Sequence, residues 1–162
     1  MRATKNPFHY HLVLVEPEIP PNTGNAGRLA VATNSTLHLV GKLGFSIDDK
    51  EVRRAGLDYW KHVDLIQHAS FEDWLAWFEK NEPGAPFYLF SKKAARSLYR
   101  IRFPNRAAFV FGKETLGLSE EILARFPDRA ATIPMFSDKI RSLNLSNAVS
   151  VALYEAIRQQ LA

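Results

Sequence analysis

Two apolar runs with no polar interruption, Phe87 to Phe90 (FYLF) and Ala107 to Phe111 (AAFVF), restrict this chain more than any other feature. A strand with one wet face alternates apolar and polar residues, whereas a continuous apolar run must be covered on both sides, as in parallel sheets. The rest of the chain supplies further strands and the covers. His9 to Val15 (HYHLVLV) and Thr36 to Val40 (TLHLV) are β-rich, and Gly24 to Thr33 has the apolar density of a helix. Asp48 to Ala55 begins with acids and ends with arginines, the polarity a helix dipole favours. Val63 to Gln67 reads as a short strand. Phe71, Trp74, Leu75 and Phe78 then keep helical spacing, with Ser70 as cap and Pro83-Gly84 as stop. Ser119 to Arg125 is a helix capped by Ser119, and Ala131 to Ile133 a brief strand before Pro134. Leu145, Val149, Ala152, Leu153, Ala156 and Ile157 mark the buried face of a closing helix. Strand and helix alternate without linker, repeat or low-complexity tract. The expectation is one α/β domain over residues 1–162, a mostly parallel sheet with helices on both faces.

Composition narrows the classes. The absence of cysteine excludes disulfides and Cys-based zinc sites and fits a reducing compartment. No leader-like apolar segment opens the chain and no 18 apolar residues run together, so a soluble cytoplasmic protein without a membrane span is expected. Lysine plus arginine total 21 against 17 for aspartate plus glutamate, and a pI near 9.4 favours a polyanionic partner such as nucleic acid.

Ligands of parallel sheets gather at the carboxyl ends of the strands, which directs attention to three loops. PEIPPNTGNAGR (17–28) lacks the GxGxxG of a dinucleotide site. Taken alone it is a helix start with Asn22 or Thr23 as cap and Arg28 toward solvent. FGKETLGL (111–118) is not a P-loop, because Ala107 stands where its first glycine belongs and Glu114 where Ser or Thr must follow the lysine. Gly112, directly after a buried strand, lets a ligand approach the backbone; an ordinary strand-to-helix turn is the alternative. IPMFSDKIRSLNLSN (133–147) crowds Ser142, Asn144, Ser146 and Asn147 at a helix start that needs one cap. The surplus either holds a polar ligand or lets another helix pack closely. His9 and His11 share a strand with no carboxylate at ligand spacing, so no metal site is expected. Trp60, Trp74 and Trp77 sit among apolar residues and read as core or interface.

In this order the three loops resemble the signature motifs of the SPOUT superfamily of RNA methyltransferases, from about Glu16 to Glu155. DDKEVRRAGLDYW (48–60) is similar to the TrmL (YibK-like) subgroup, which methylates the ribose of cytidine or uridine at the tRNA wobble position. The resemblance implies a C-terminal deep trefoil knot, a homodimer and S-adenosyl-L-methionine held in the knot, with residues 1–8 as an N-terminal extension. It implies cofactor contacts, mainly through backbone, at Leu89, Gly112, Ile133 and the Ser142 region. Arg28 matches an arginine proposed in relatives as the base for the ribose hydroxyl. A guanidinium is protonated in water, so orienting that hydroxyl or a phosphate is an equally physical role. Glu114 is either an acidic alternative or an anchor of its loop. Arg53, Arg54, Lys61, Lys92, Lys93 and Arg141 lie in or beside these loops, where they would contact the phosphates of a tRNA anticodon stem-loop. Tyr154 matches a family tyrosine and equally reads as core or dimer face. Ala94 departs from the glycine common after the lysine pair.

Overall fold

A computed structural model of the chain describes residues 6–48, 50, 52 and 59–162. Its six strands are β1 (His9–Val15), β2 (Thr36–Val40), β3 (Asp64–His68), β4 (Phe87–Phe90), β5 (Arg106–Phe111) and β6 (Ala130–Ala131). They form one sheet in the order β3-β2-β1-β5-β4-β6, and every pairing is parallel. The two apolar runs are β4 and β5, inside the sheet and covered on both faces as their composition demands.

Helices α1 (Pro20–Thr33) and α4 (Leu145–Leu161) cover one face. There Leu12, Leu14, Leu37, Leu39, Phe90, Phe109 and Phe111 pack with Ala26, Ala30, Val149, Leu153 and Ile157. Helices α2 (Phe71–Asn81) and α3 (Glu120–Arg125) cover the other. Phe71, Trp74 and Phe78 of α2 meet Val13, Val40, Leu89 and Val110, with Ile122 and Leu123 of α3 beside them. Trp74, expected in the core, is fully buried there. At roughly 1.5–3 kcal/mol for each large apolar side chain buried, these two layers hold the sheet. Among the described residues no helix is long and apolar enough to cross a membrane.

Within the described residues the other predicted elements are present, several with shifted ends. The strand expected at Val63 to Gln67 is β3, one residue later, and that expected at Ala131 to Ile133 is β6, one residue earlier and shorter. The caps Ser70 and Ser119 accept hydrogen bonds from Asp73 N and Ile122 N, as predicted. The cap expected at Asn22 or Thr23 is not there. Helix α1 begins four residues before Gly24, with Pro20 and Pro21 in its first turn and Ile19 as a cap without a side-chain acceptor. Prolines suit those positions because their missing N–H groups need no partner. The helix expected over Asp48 to Ala55 falls largely outside the described residues.

The strand register also assembles a row of imidazoles, buried at His11 and His38 and half-buried at His68. His11 Nδ1 lies 2.9 Å from His38 Nε2, and His38 Nδ1 lies 2.9 Å from His68 Nε2. His11 Nε2 lies 2.9 Å from Glu82 Oε1, so the carboxylate that local spacing did not offer arrives from the end of α2. Arg106 donates to the same carboxylate and holds it below its usual pKa, which leaves Glu82 an acceptor only. His11 must therefore carry its hydrogen on Nε2 and accept at Nδ1, which imposes the same tautomer on His38 and then His68. Burial pushes all three below their usual pKa, His38 to about 2.

These groups make stability fall with acid. Their folded pKa values lie below the unfolded value near 6.5, so the unfolded chain binds the extra protons as pH drops below about 6.5. The stabilisation is complete above that pH and declines through pH 5, by roughly 1 kcal/mol per pH unit for each histidine that stays neutral. Urea unfolding at pH 7.5 and 5.5 should show the loss, and equal midpoints would contradict the account.

Candidate active site

The carboxyl ends of β4, β5 and β6 open into a cavity of about 550 Å³, lined by all three loops that the sequence singles out. Ile19 and Asn22 come from the first, Gly112 to Leu118 from the second, and Ile133, Met135 and Arg141 to Leu145 from the third. A volume of this order suits a nucleoside-sized ligand.

Glu114 joins the first two loops. Its carboxylate accepts from the backbone N–H of Glu18 at 2.7 Å and of Ile19 at 3.1 Å. It also accepts from Asn22 Nδ2 at 3.2 Å. An acid at this point satisfies the backbone donors just ahead of the first helical residue and complements the dipole of α1. Of the two roles open to Glu114, anchoring is the one this geometry displays. Two further contacts fasten the same loops. Thr115 donates to Glu18 through its N–H and hydroxyl, which lowers the Glu18 pKa. Glu16 pairs with Lys113 at 2.8 Å and raises the pKa of that ammonium.

The third loop is tied in through Asn22, which accepts at Oδ1 from Asn144 Nδ2 at 3.0 Å. Asn144 is also the N-cap of α4, its Oδ1 accepting from the N–H of Ser146 and of Asn147. Ser146 spends its hydroxyl on Asn144, and Ser150 donates to the carbonyl of Ser146. The polar cluster thus divides its work: Asn144 caps and bridges, Ser146 supports the cap, and Ser142 lines the cavity.

Gly112 has a steric reason. A Cβ there would lie 2.0 Å from the Gly117 carbonyl carbon and 2.1 Å from Leu118 N. The loop closes on itself through Gly117 N–H to Lys113 O at 2.8 Å, with Gly117 at φ +69°. Gly27 also serves packing, since a Cβ would come within 2.6 Å of the Trp60 ring.

Gly112, Ile133, Ser142, Lys92 and Arg141 all line the cavity. Leu89 is buried on the α2 side of the sheet, and the lining begins one residue later at Phe90. Arg28 does not line the cavity; it is exposed on α1 with its guanidinium 5.3 Å from the centre of the Tyr59 ring. Arg53 and Arg54 lie outside the described residues. Tyr154 is half exposed on α4 and so does not belong to the core of a single chain. Local sequence signals missed Thr132 and Ala148, ordinary residues whose only mark is their place at a strand end or across the cavity.

The main chain of the third loop offers what a ligand needs. Among the described residues, no backbone-to-backbone hydrogen bond engages Ile133 to Leu143. A hollow at the amino ends of the strands differs in this respect. Its Glu82 is paired with Arg106 and His11, and its Thr36 with Asp64 and His9.

Comparison with known proteins gives the family. Residues 9–154 match the SpoU rRNA Methylase family. The chain belongs to that family. A tRNA (cytidine(34)-2'-O)-methyltransferase of a Polaromonas species is 47% identical over 152 residues, which cover 93% of this chain and 90% of that protein. A solved structure bearing on the 2-OH methylation of C/U34 on tRNA is 48% identical with a TM-score of 0.88, covering 96% of this chain and 98% of that one. An AdoMet-bound rRNA methyltransferase from Sinorhizobium meliloti is 25% identical with a TM-score of 0.82, covering 95% of this chain and 57% of that one. The SpoU family chain described here therefore spans nearly all of its more similar relatives and just over half of the S. meliloti enzyme.

Removing the Glu114 anchor should loosen all three loops. Glu114→Ala strands two backbone donors and an amide, at a cost of roughly 1–3 kcal/mol for each group left unsatisfied out of water. Denaturant unfolding should show a clear loss, with Glu114→Gln intermediate, and an Ala variant as stable as the parent would contradict the anchoring role.

Proposed function

We propose that the protein transfers a methyl group from S-adenosyl-L-methionine to the ribose 2′-hydroxyl of the wobble nucleotide, cytidine or uridine 34, of tRNA. The observation that carries this reading is the convergence of the three loops, through Asn22, Glu114 and Asn144, on one cavity with unengaged backbone. The near full-length relatives that act on position 34 supply the substrate class.

The residues present fit the cofactor. Leu116, Leu118, Leu145 and Ala148 offer an apolar wall for an adenine ring, while Gly112, Ile133 and the main chain up to Ser142 offer donors and acceptors for its edge and ribose. When bound, the cofactor supplies an electrophilic methyl: the ribose oxygen forms the new C–O bond, the S–C bond breaks, and S-adenosylhomocysteine and a proton leave. The chain's contribution is position. Holding both reactants in line removes the entropic cost of their encounter, and the loops knit by Glu114 make the cavity rigid enough to do so. Lys92 and Arg141, exposed at its rim, suit the phosphates flanking the target ribose.

Arg28 acts, on this reading, from a second copy of the chain. It lies six residues beyond Asn22, about 9 Å along the helix axis, and outside its own cavity. Tyr154 and Leu161 are exposed large apolar or aromatic residues of α4, which suits a homodimer face. A protonated guanidinium there orients the ribose or its phosphate. We also infer the knot. The connection between β4 and β5 joins the core on the α1–α4 side, and Gln159 and Gln160 of α4 bond the backbone of its Ile101 and Phe103. Helix α4 thus packs against the connection through which a threaded end would pass, which supports the inference.

Calorimetric titration with S-adenosylmethionine should show saturable binding, and a folded protein without it would refute the enzyme reading. Labelled methyl transfer to bulk tRNA, followed by nucleoside mapping, should give 2′-O-methylcytidine or 2′-O-methyluridine at position 34. A base methylation, or a ribose elsewhere, would overturn the assignment. Arg28→Ala should keep cofactor affinity and lose about a hundredfold or more in turnover; full turnover would remove Arg28 from the mechanism. Sedimentation at micromolar concentration should give the mass of two chains.

A further inference from the structure

No carboxylate occurs between Glu82 and Glu114, while Lys92, Lys93, Arg96, Arg100, Arg102, Arg106 and Lys113 fall in that interval. A solvated surface intersperses both signs, so the part of this stretch that meets no carboxylate from elsewhere in the fold suits a polyanion. Most of these cations lie on the connection between β4 and β5, and its packing turns them outward. Leu98, Ile101 and Phe103 are buried in the core, whereas Arg96, Tyr99, Arg100 and Arg102 are exposed.

The segment is held firmly. Ser97 bridges to Thr132, with Leu98 N–H to Thr132 O at 2.9 Å and Thr132 N–H to Arg96 O at 2.8 Å. Thr132 lines the active-site cavity, so the ridge begins at its wall. The Ser97 hydroxyl accepts from Tyr99 N–H at 3.2 Å and fixes the turn that presents the tyrosine. At the far end Gln159 accepts from Phe103 N–H at 2.8 Å and donates to Ile101 O at 2.9 Å. Lys93 pairs with Glu120, Arg106 with Glu82, and Arg96 donates to Asp128 O. Among the described residues, Arg100 and Arg102 meet no carboxylate. Tyr99, between them and Arg96, is 59% exposed.

We propose that this ridge is a second RNA-binding surface, which carries the tRNA backbone away from the cavity. Arg100 and Arg102 take phosphates, and Tyr99 stacks on an unpaired base. A pre-ordered row of guanidiniums flanking an exposed ring is the chemistry that single-stranded nucleic acid selects. The proposal rests on the reading of the chain as a tRNA methyltransferase, extending its substrate contacts beyond the rim residues.

The test is fluorescence anisotropy with labelled tRNA across a salt series, using the full chain, the double variant Arg100→Gln/Arg102→Gln, and Tyr99→Ala and Tyr99→Phe. The double variant should bind tRNA about tenfold or more weakly near 0.1 M salt, with a log-log salt slope shallower by about 1.5, the release expected of two phosphate contacts. Tyr99→Ala should weaken binding at least fivefold and Tyr99→Phe much less, since the ring face does the stacking. Unchanged thermal midpoints and S-adenosylmethionine affinity would show that the losses are local, and in methyl transfer the effect should fall on KM. An unchanged affinity and salt slope in the double variant overturns the ridge. Parent protein that binds RNA through the ridge without binding S-adenosylmethionine removes the methyltransferase reading and leaves the ridge standing.

Discussion

One carboxylate organises the functional end of this molecule. Glu114 accepts two backbone N–H groups at the start of α1 and the amide of Asn22, whose own oxygen receives Asn144 at the start of α4. Two helix starts and one strand end are thereby referenced to one another. The links satisfy polar groups at and just before the two helix starts, and the same links join the walls of the cavity. Charge-assisted bonds of this kind are stronger than neutral ones, which suits loops that must stay in place without regular secondary structure.

The sheet beneath divides its two ends between different tasks. At the carboxyl ends, the third loop makes no backbone-to-backbone hydrogen bond from Ile133 to Leu143 among the described residues, which leaves its main chain open to a ligand. Toward the other end, polar groups are consumed internally, by Glu82, Arg106 and the imidazole row on β1, β2 and β3. The buried imidazoles of His11 and His38 are tolerated because both ring nitrogens of each find a complementary partner once Glu82 sets the direction of donation. The connection between β4 and β5 spans the two ends. It lays Leu98, Ile101 and Phe103 into the core while turning its cations outward.

Much of the fold was legible before the structure. Unbroken apolar runs require a sheet covered twice, and the buried set on α4 is the one its spacing marks: Leu145, Val149, Ala152, Leu153, Ala156 and Ile157. The serine caps were legible because a cap acts within three residues. The start of α1 was not, because the group that serves it stands 92 residues away from Asn22 in the chain. The Glu82 partner of His11 was hidden for the same reason, at a separation of 71 residues.

The candidate site follows the same division. Sequence alone determined the alternation of strand and helix and the three loops at strand ends, since these depend on residues near one another in the chain. The tertiary structure decided which loops meet, that Asn144 rather than its neighbours both caps and bridges, and that Arg28 stands outside the cavity of its own chain. The reason is physical: hydrophobic periodicity and capping are short-range and written in consecutive residues. The partner of a buried or bridging polar group is chosen by where the register of a parallel sheet brings distant strand ends.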